Sequence, residues 1–199
     1  MNGPFELKPT LRGDRVELRP FQPADIDAMG AILADPEVLR LTGSVRTSAE
    51  TLHQSATLDA ETRRWYETRA EQPDRLDLAL IDRSTGHCVG EAVFNEWSEA
   101  DQSCNYRTLI GAAGRDRGLG TEATKLMVDY AFSATDLNRI ELDVYDFNPR
   151  ARHVYERAGF TYEGRKRQAF TFDGTRIDTV VMSILRQDHI GAALHPTQG

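Results

Sequence analysis

The chain has 199 residues, 40% of them hydrophobic and 28% charged, the balance of an ordinary soluble protein with room for one domain and a real core. A formal net charge of −7 argues against general nucleic-acid binding. No apolar run approaches the roughly 20 residues that cross a bilayer, and MNGPFELKPTLRGDR lacks the apolar core of a signal peptide, so a cytoplasmic protein without membrane contact is expected.

RVELRPF (Arg15 to Phe21) alternates apolar and charged residues and reads as a strand. PADIDAMGAILAD then sets Ile26, Met29, Ile32 and Leu33 at helical spacing, with Pro36 just beyond. A polar loop is expected next. From about Ser48 a long polar segment reads as helical, capped by Ser48 or Thr47 and broken somewhere in its middle. Leu76 to Asp82 and His87 to Trp97, joined by RSTG, form a hairpin, and Ser103 to Gly111 adds a third meander strand. A helix follows with Ala123, Leu126, Met127, Tyr130, Ala131 and Ala134 on one face. RIELDVYD is a strand that points Ile140, Leu142 and Val144 one way. NPRARHVYERAGF is a helix with Asn148 as cap, Pro149 at its first position and Gly159 at its end. RQAFTF, the turn Asp173-Gly174 and IDTVVMSIL form a closing hairpin. The expected organisation is one domain over residues 1–186 and a flexible tail over 187–199.

Cys88 and Cys104 match no zinc spacing, and the five histidines are scattered. Free thiols and no metal site are expected.

The chemistry concentrates in GRDRGLGTEATKLMVDYAF, Gly114 to Phe132. It lies in the basic part of the chain: eleven Lys/Arg and nine Asp/Glu fall between Arg107 and Arg167, against 13 and 22 elsewhere. No register supplies the G-x-x-x-x-G-K-[ST] of a P-loop. GLGTEA does fit G-x-G-x-x-A, with acids at Glu141 and Asp143 downstream, but a dinucleotide turn opens a parallel sheet directly at a strand end. Here GRDR intervenes, and half the chain has already been spent on strands and hairpins. The third reading is a pyrophosphate cradle, R-x-x-G-x-G, made of Arg115, Gly118 and Gly120 with Thr121 at the helix start. A helix start leaves main-chain N–H groups unpaired and carries about +0.5 charge. Glycines let a diphosphate approach, and Arg115 and Arg117 add charge-assisted hydrogen bonds. On this stretch alone a solvated glycine turn competes evenly with the cradle.

The cradle together with the helix from Asn148 resembles the GNAT acetyltransferase superfamily. Arg115, Gly118 and Gly120 match its acetyl-CoA pyrophosphate motif, and Asn148, Ala151, Tyr155, Glu156, Gly159 and Phe160 match the helix after its fifth strand. LRGDRVELRPF and YEGRKRQAFTFDGTRIDTVVMSIL are similar to the branch containing bacterial ribosomal-protein N-terminal acetyltransferases. The resemblance implies an α/β (α+β) fold: a mixed, mostly antiparallel twisted sheet of about seven strands, helices on both faces, and a splay between strands four and five. It implies acetyl-CoA as co-substrate, and an amine acceptor that is a small molecule or a protein N-terminus. A homodimer is common in the family. A non-catalytic acyl-CoA-binding module and, less well, a dinucleotide-binding protein stay open as alternatives.

The resemblance also implies site roles. Backbone of Leu109 and Ile110, with Gly111 beyond, lies against the pantetheine arm as in strand addition. The N–H groups of Gly118, Leu119, Gly120 and Thr121 hold the diphosphate. Tyr155 protonates or stabilises the departing sulfur, and Asn148 shares its helix face. The attacking amine must be neutral, which an α-amine near pKa 7.7–8 reaches more readily than a lysine near 10.4. Glu91 is the chosen general base. Glu96, Asp101, Glu141 or a water chain compete with it.

Overall fold

A computed structural model of the chain describes residues 3–189. In chain order the elements are β1 (Leu11–Arg12), β2 (Val16–Arg19), α1 (Pro23–Leu33), α2 (Pro36–Thr42), α3 (Ala60–Thr68), β3 (Leu76–Asp82), β4 (His87–Ser98), β5 (Ser103–Ile110), α4 (Leu119–Ala134), β6 (Arg139–Tyr145), α5 (Pro149–Arg157), β7 (Thr161–Phe172) and β8 (Thr175–Leu185). The eight strands form one sheet in the order β1-β2-β3-β4-β5-β6-β8-β7. The expected count of about seven missed the two-residue β1, which pairs Leu11 with Leu18 and Arg12 with Glu17.

Every neighbouring pair is antiparallel except β5 and β6. That arrangement is unlike the doubly wound parallel sheet a dinucleotide turn requires. The β5–β6 pairing is short: only Ser103, Cys104 and Asn105 are matched, to Arg139, Ile140 and Glu141. Beyond Asn105 the strands part, while β6 stays paired to β8 along its whole length. A gap therefore opens in the middle of the sheet.

The two faces of β5 carry different layers, because successive side chains point to opposite sides. Ile110 packs with the main core, where α4 contributes Leu119, Ala123, Met127, Val128 and Ala131. The expected α4 stripe holds except at Ala134, which is exposed, and Thr124, Val128 and Phe132 complete it. Leu109 packs with the smaller cluster of Ile26 and Met29 from α1 and Tyr66 from α3.

Turn chemistry ends most elements where the sequence suggests. Asn148 caps α5 by accepting from the Ala151 N–H at 3.1 Å, with Pro149 at the first position. Asp173 and Gly174 both have positive φ, 47° and 73°, the type I′ geometry of a two-residue hairpin. The segment after Pro36 departs from expectation. It is the helix α2 instead of a loop, capped by Asp35, whose carboxylate accepts from the N–H groups of Glu37 and Val38. The polar segment after it breaks into a 3₁₀ turn at Ala49–His53 and then α3, capped by Asp59. Ser48 provides no cap; its hydroxyl bonds Asp173, and Thr47 accepts from the Glu50 N–H. β7 begins at Thr161, ahead of the expected Arg167. Of the expected tail, residues 187–189 are helical and 190–199 lie outside the described residues.

Candidate active site

Gly118 sits at φ 76° and ends the loop that starts α4. The first helical hydrogen bond runs from the Glu122 N–H to the Gly118 carbonyl, 3.3 Å. Among the described residues, the main-chain N–H groups of Asp116 to Thr121 have no protein acceptor. Of that run, Asp116, Gly118, Leu119, Gly120 and Thr121 line a cleft of about 1130 Å³. A Cβ at Gly120 would lie 3.1 Å from Ile110 Cδ1, so the missing side chain lets the helix start lie close to β5.

The same cleft runs through the gap in the sheet, past Thr108, Leu109 and Ile110 of β5 and Asp143 to Tyr145 of β6. Register decides which β5 groups face it. Gly111 donates to the Val89 carbonyl, and Glu91 lies opposite Leu109. Hydrogen-bonded pairs alternate along an antiparallel ladder, so Leu109 spends its main-chain groups on Glu91. Thr108 and Ile110 turn theirs toward the gap. Of the two expected cofactor positions on this strand, Ile110 offers its N–H; Leu109 does not, and Thr108 is an addition.

The two arginines of the loop are held by partners of their own, Arg115 on the cleft wall and Arg117 outside it. Arg115 is mostly buried: Nε donates to the Ile110 carbonyl at 3.1 Å, Nη1 to Glu37 at 2.6 Å, and Nη2 lies 3.0 Å from Asp35. It ties the N-terminus of α2 to the end of β5. Arg117 reaches the opposite side of the loop, where Nη1 meets the buried Asp82 at 2.5 Å and Nη2 meets Ser84 at 3.0 Å. That contact holds the Asp82 carboxyl down at about 2. Sequence reasoning set both guanidiniums on the diphosphate; geometry gives them structural partners. Arg150 of α5, not singled out in the sequence, lines the cleft and bonds Glu37 at 2.5 Å.

Three buried tyrosines line the cleft: Tyr66, Tyr106 and Tyr155. Tyr66 donates to Glu91 at 3.1 Å, and Tyr106 shares a hydrogen bond with Thr124 at 3.1 Å. The Tyr155 hydroxyl has no partner among the described residues, and burial with the neighbouring Tyr106 pushes its pKa up. Its ring is fixed by Tyr106 and Phe160, centroids 6.2 and 5.9 Å away. It keeps its proton at neutral pH and has that proton to give. Asn148 also lines the cleft, although its side-chain oxygen is engaged in capping α5.

Glu91 lies on the cleft wall and is 2% exposed. Burial pushes its carboxyl up, while Arg107, 3.4 Å away, and the Tyr66 hydroxyl pull it down. Its competitors stand apart: Glu96, Asp101 and Glu141 do not line the cleft. The cysteines are free; burial lifts the Cys88 thiol to about 11 and Cys104 higher still. Neither is a ready nucleophile. Among the described residues no group of three potential metal ligands exists, and no helix is long and apolar enough to cross a membrane.

The chain is similar to known proteins in sequence and in fold. The acetyltransferase (GNAT) domain profile matches residues 15–161. A spermidine N(1)-acetyltransferase of Escherichia coli K12 is 28% identical over 142 residues, covering 67% of this chain and 75% of the relative. A probable N-acetyltransferase of Bacillus subtilis is 32% identical over 124 residues, 62% of this chain and 68% of that one. A putative ribosomal N-acetyltransferase of the same organism is 33% identical over 106 residues, 53% and 58%. Among solved structures, spermidine N-acetyltransferase from Vibrio cholerae, in complex with CoA and spermine, superposes with a TM-score of 0.76 at 20% identity over 89% of this chain and 99% of that one. With the domain match spanning most of the chain and the parted strands, glycine turn and helix start in one cleft, the chain belongs to the GNAT acetyltransferase family.

Proposed function

We propose that the protein transfers an acetyl group from acetyl-CoA directly to a primary amine. The observation that carries this reading is the run of unpaired main-chain N–H groups from Asp116 to Thr121, set beside the unpaired edge of β5 in one cleft. The first suits an anionic diphosphate; the second suits the amide groups of an extended arm. Bound acetyl-CoA supplies an acyl group activated as a thioester.

The chain's own residues have three tasks. Glu91 takes the proton of the amine as the C–N bond forms. The Ile110 N–H faces the gap where the carbonyl oxygen gains charge, and donors pre-aimed at such an oxygen are the largest single contribution in acyl transfer. Tyr155 gives its unshared hydroxyl proton, or a hydrogen bond, to the sulfur as the C–S bond breaks. The acceptor enters from the α1–α3 side, where Leu33, Leu41, Trp65 and Tyr66 line the cleft. Spermidine, the substrate named for the enzymes of Escherichia coli and Vibrio cholerae, and peptides with a free α-amine are the acceptor classes to compare.

Two measurements test the reading. Acetyl-CoA raises the melting temperature, whereas NAD and NADP leave it unchanged, because only a ligand of the native state stabilises it. Release of free CoA is then followed with α-amine peptides, spermidine and tyramine as acceptors. No thermal shift with acetyl-CoA, or no turnover with any acceptor class, overturns the proposal.

A further inference from the structure

α3 is a polar helix, AETRRWYET, and Tyr66 is its one fully buried residue. The ring is wedged between Phe21 and Trp65, centroids 4.9 and 4.8 Å away. Its hydroxyl ends on Glu91 Oε2 at 3.1 Å. A helix this polar gains little from burial, yet its single anchor delivers a hydrogen-bond donor to a carboxylate sealed into the cleft wall.

A buried carboxylate needs hydrogen bonds to stay ionised. Glu91 has two from side chains: Tyr66 on Oε2, and Arg107 on Oε1 at the long distance of 3.4 Å. The other charged or titratable groups facing it do not replace them. Asp77 of β3 is turned into Arg75 by contacts of 2.6 and 2.7 Å. On the α1 side, Asp25 is held by Arg19, and Cys88 is a protonated thiol. Asp77 adds like charge, so the donor from α3 works against both burial and repulsion.

We propose that Tyr66 is a positioning residue: its hydroxyl on Oε2, with Arg107 on Oε1, orients the Glu91 carboxyl in the cleft. The proposal rests on Glu91 as the proton acceptor of the reaction. Loss of the Tyr66 hydrogen bond leaves the carboxylate to burial and to Asp77, so its titration moves up. The carboxyl is then both less well aimed and a poorer proton acceptor, and turnover falls while acceptor binding is retained.

The test uses the whole chain with carboxyl-labelled glutamate, the Glu91 signal being assigned by its loss in Glu91→Gln. Tyr66→Phe keeps the ring packing, and its Glu91 carbon titration is expected to rise by about one pH unit. Arg107→Met, at a half-exposed position, is expected to move it the same way, and if Tyr66→Phe is poorly folded Tyr66→Leu, which also lacks the hydroxyl, takes its place. With the best acceptor from the panel above, Tyr66→Phe lowers kcat by about tenfold and changes KM little. An unmoved titration in folded Tyr66→Phe overturns the proposal, whatever Arg107→Met does, while leaving the base assignment standing. Undiminished turnover in Glu91→Gln overturns the base assignment, and this proposal with it.

Discussion

Tyr155→Phe separates stability from chemistry at a single atom. The Tyr155 side chain is 5% exposed, and its ring sits edge-on to Tyr106 with Phe160 beside it. Phenylalanine preserves all of that contact. The hydroxyl has no hydrogen bond to lose, unlike those of Tyr66 and Tyr106. The hydroxyl lines the cleft and is not among the buried polar atoms left without a partner, so its removal changes stability by less than about 1 kcal/mol. Catalysis responds more strongly. A hydrogen bond to a group gaining charge is worth about 1.5–3 kcal/mol, which corresponds to a loss of roughly 10- to 100-fold in kcat. Urea unfolding and initial-rate kinetics on one preparation read both quantities. Unchanged kcat would remove Tyr155 from the reaction. A large loss of stability would mean that its hydroxyl has a structural partner, contrary to the geometry.

Other consequences follow from the loop and its neighbours. Gly118→Ala forces a Cβ into a left-handed turn at φ 76°, costing about 1–2 kcal/mol in thermal unfolding and weakening CoA binding; Gly118→Asn should lose less, since Asn visits that region more readily. Arg117→Met leaves Asp82, 1% exposed, with Ser84 alone; it should destabilise by about 1–3 kcal/mol while shifting the Kd for CoA by no more than about twofold. Asp82 and Glu163 are both held down at about 2, by Arg117 and Arg139 first of all. Carboxyls lowered in the folded state contribute stability that is complete above their unfolded values near 4 and is lost as pH falls through 2. Tm should therefore drop between pH 4 and pH 2, less steeply at high salt because both guanidiniums are part-exposed.

The sheet and the glycine turn were legible because each is written in a short window. Ile140, Leu142 and Val144 alternate and are all buried. Asn148-Pro149 and Asp173-Gly174 carry their own backbone preferences. α2 was readable too: Asp35-Pro36 is a cap followed by a proline at the first position, and the polar composition behind it drew attention away. What resisted reading depends on partners distant in sequence. Arg117 looks like a phosphate ligand until Asp82, 35 residues earlier, takes it. Tyr66 is one aromatic in a polar run, and nothing local announces that it meets Glu91 25 residues away. Leu109 and Ile110 are adjacent apolar residues, and only pairing with β4 decides which exposes its N–H to the gap. Motifs drew attention to the loop and the helix start; they did not report which side chains were already spoken for.

The most direct test is a crystal structure of the CoA complex. The account predicts diphosphate oxygens within about 3 Å of main-chain N–H groups between Asp116 and Thr121, with the pantetheine arm against Thr108 and Ile110. A diphosphate bound elsewhere, or carried by Arg117 with those N–H groups left free, would contradict it.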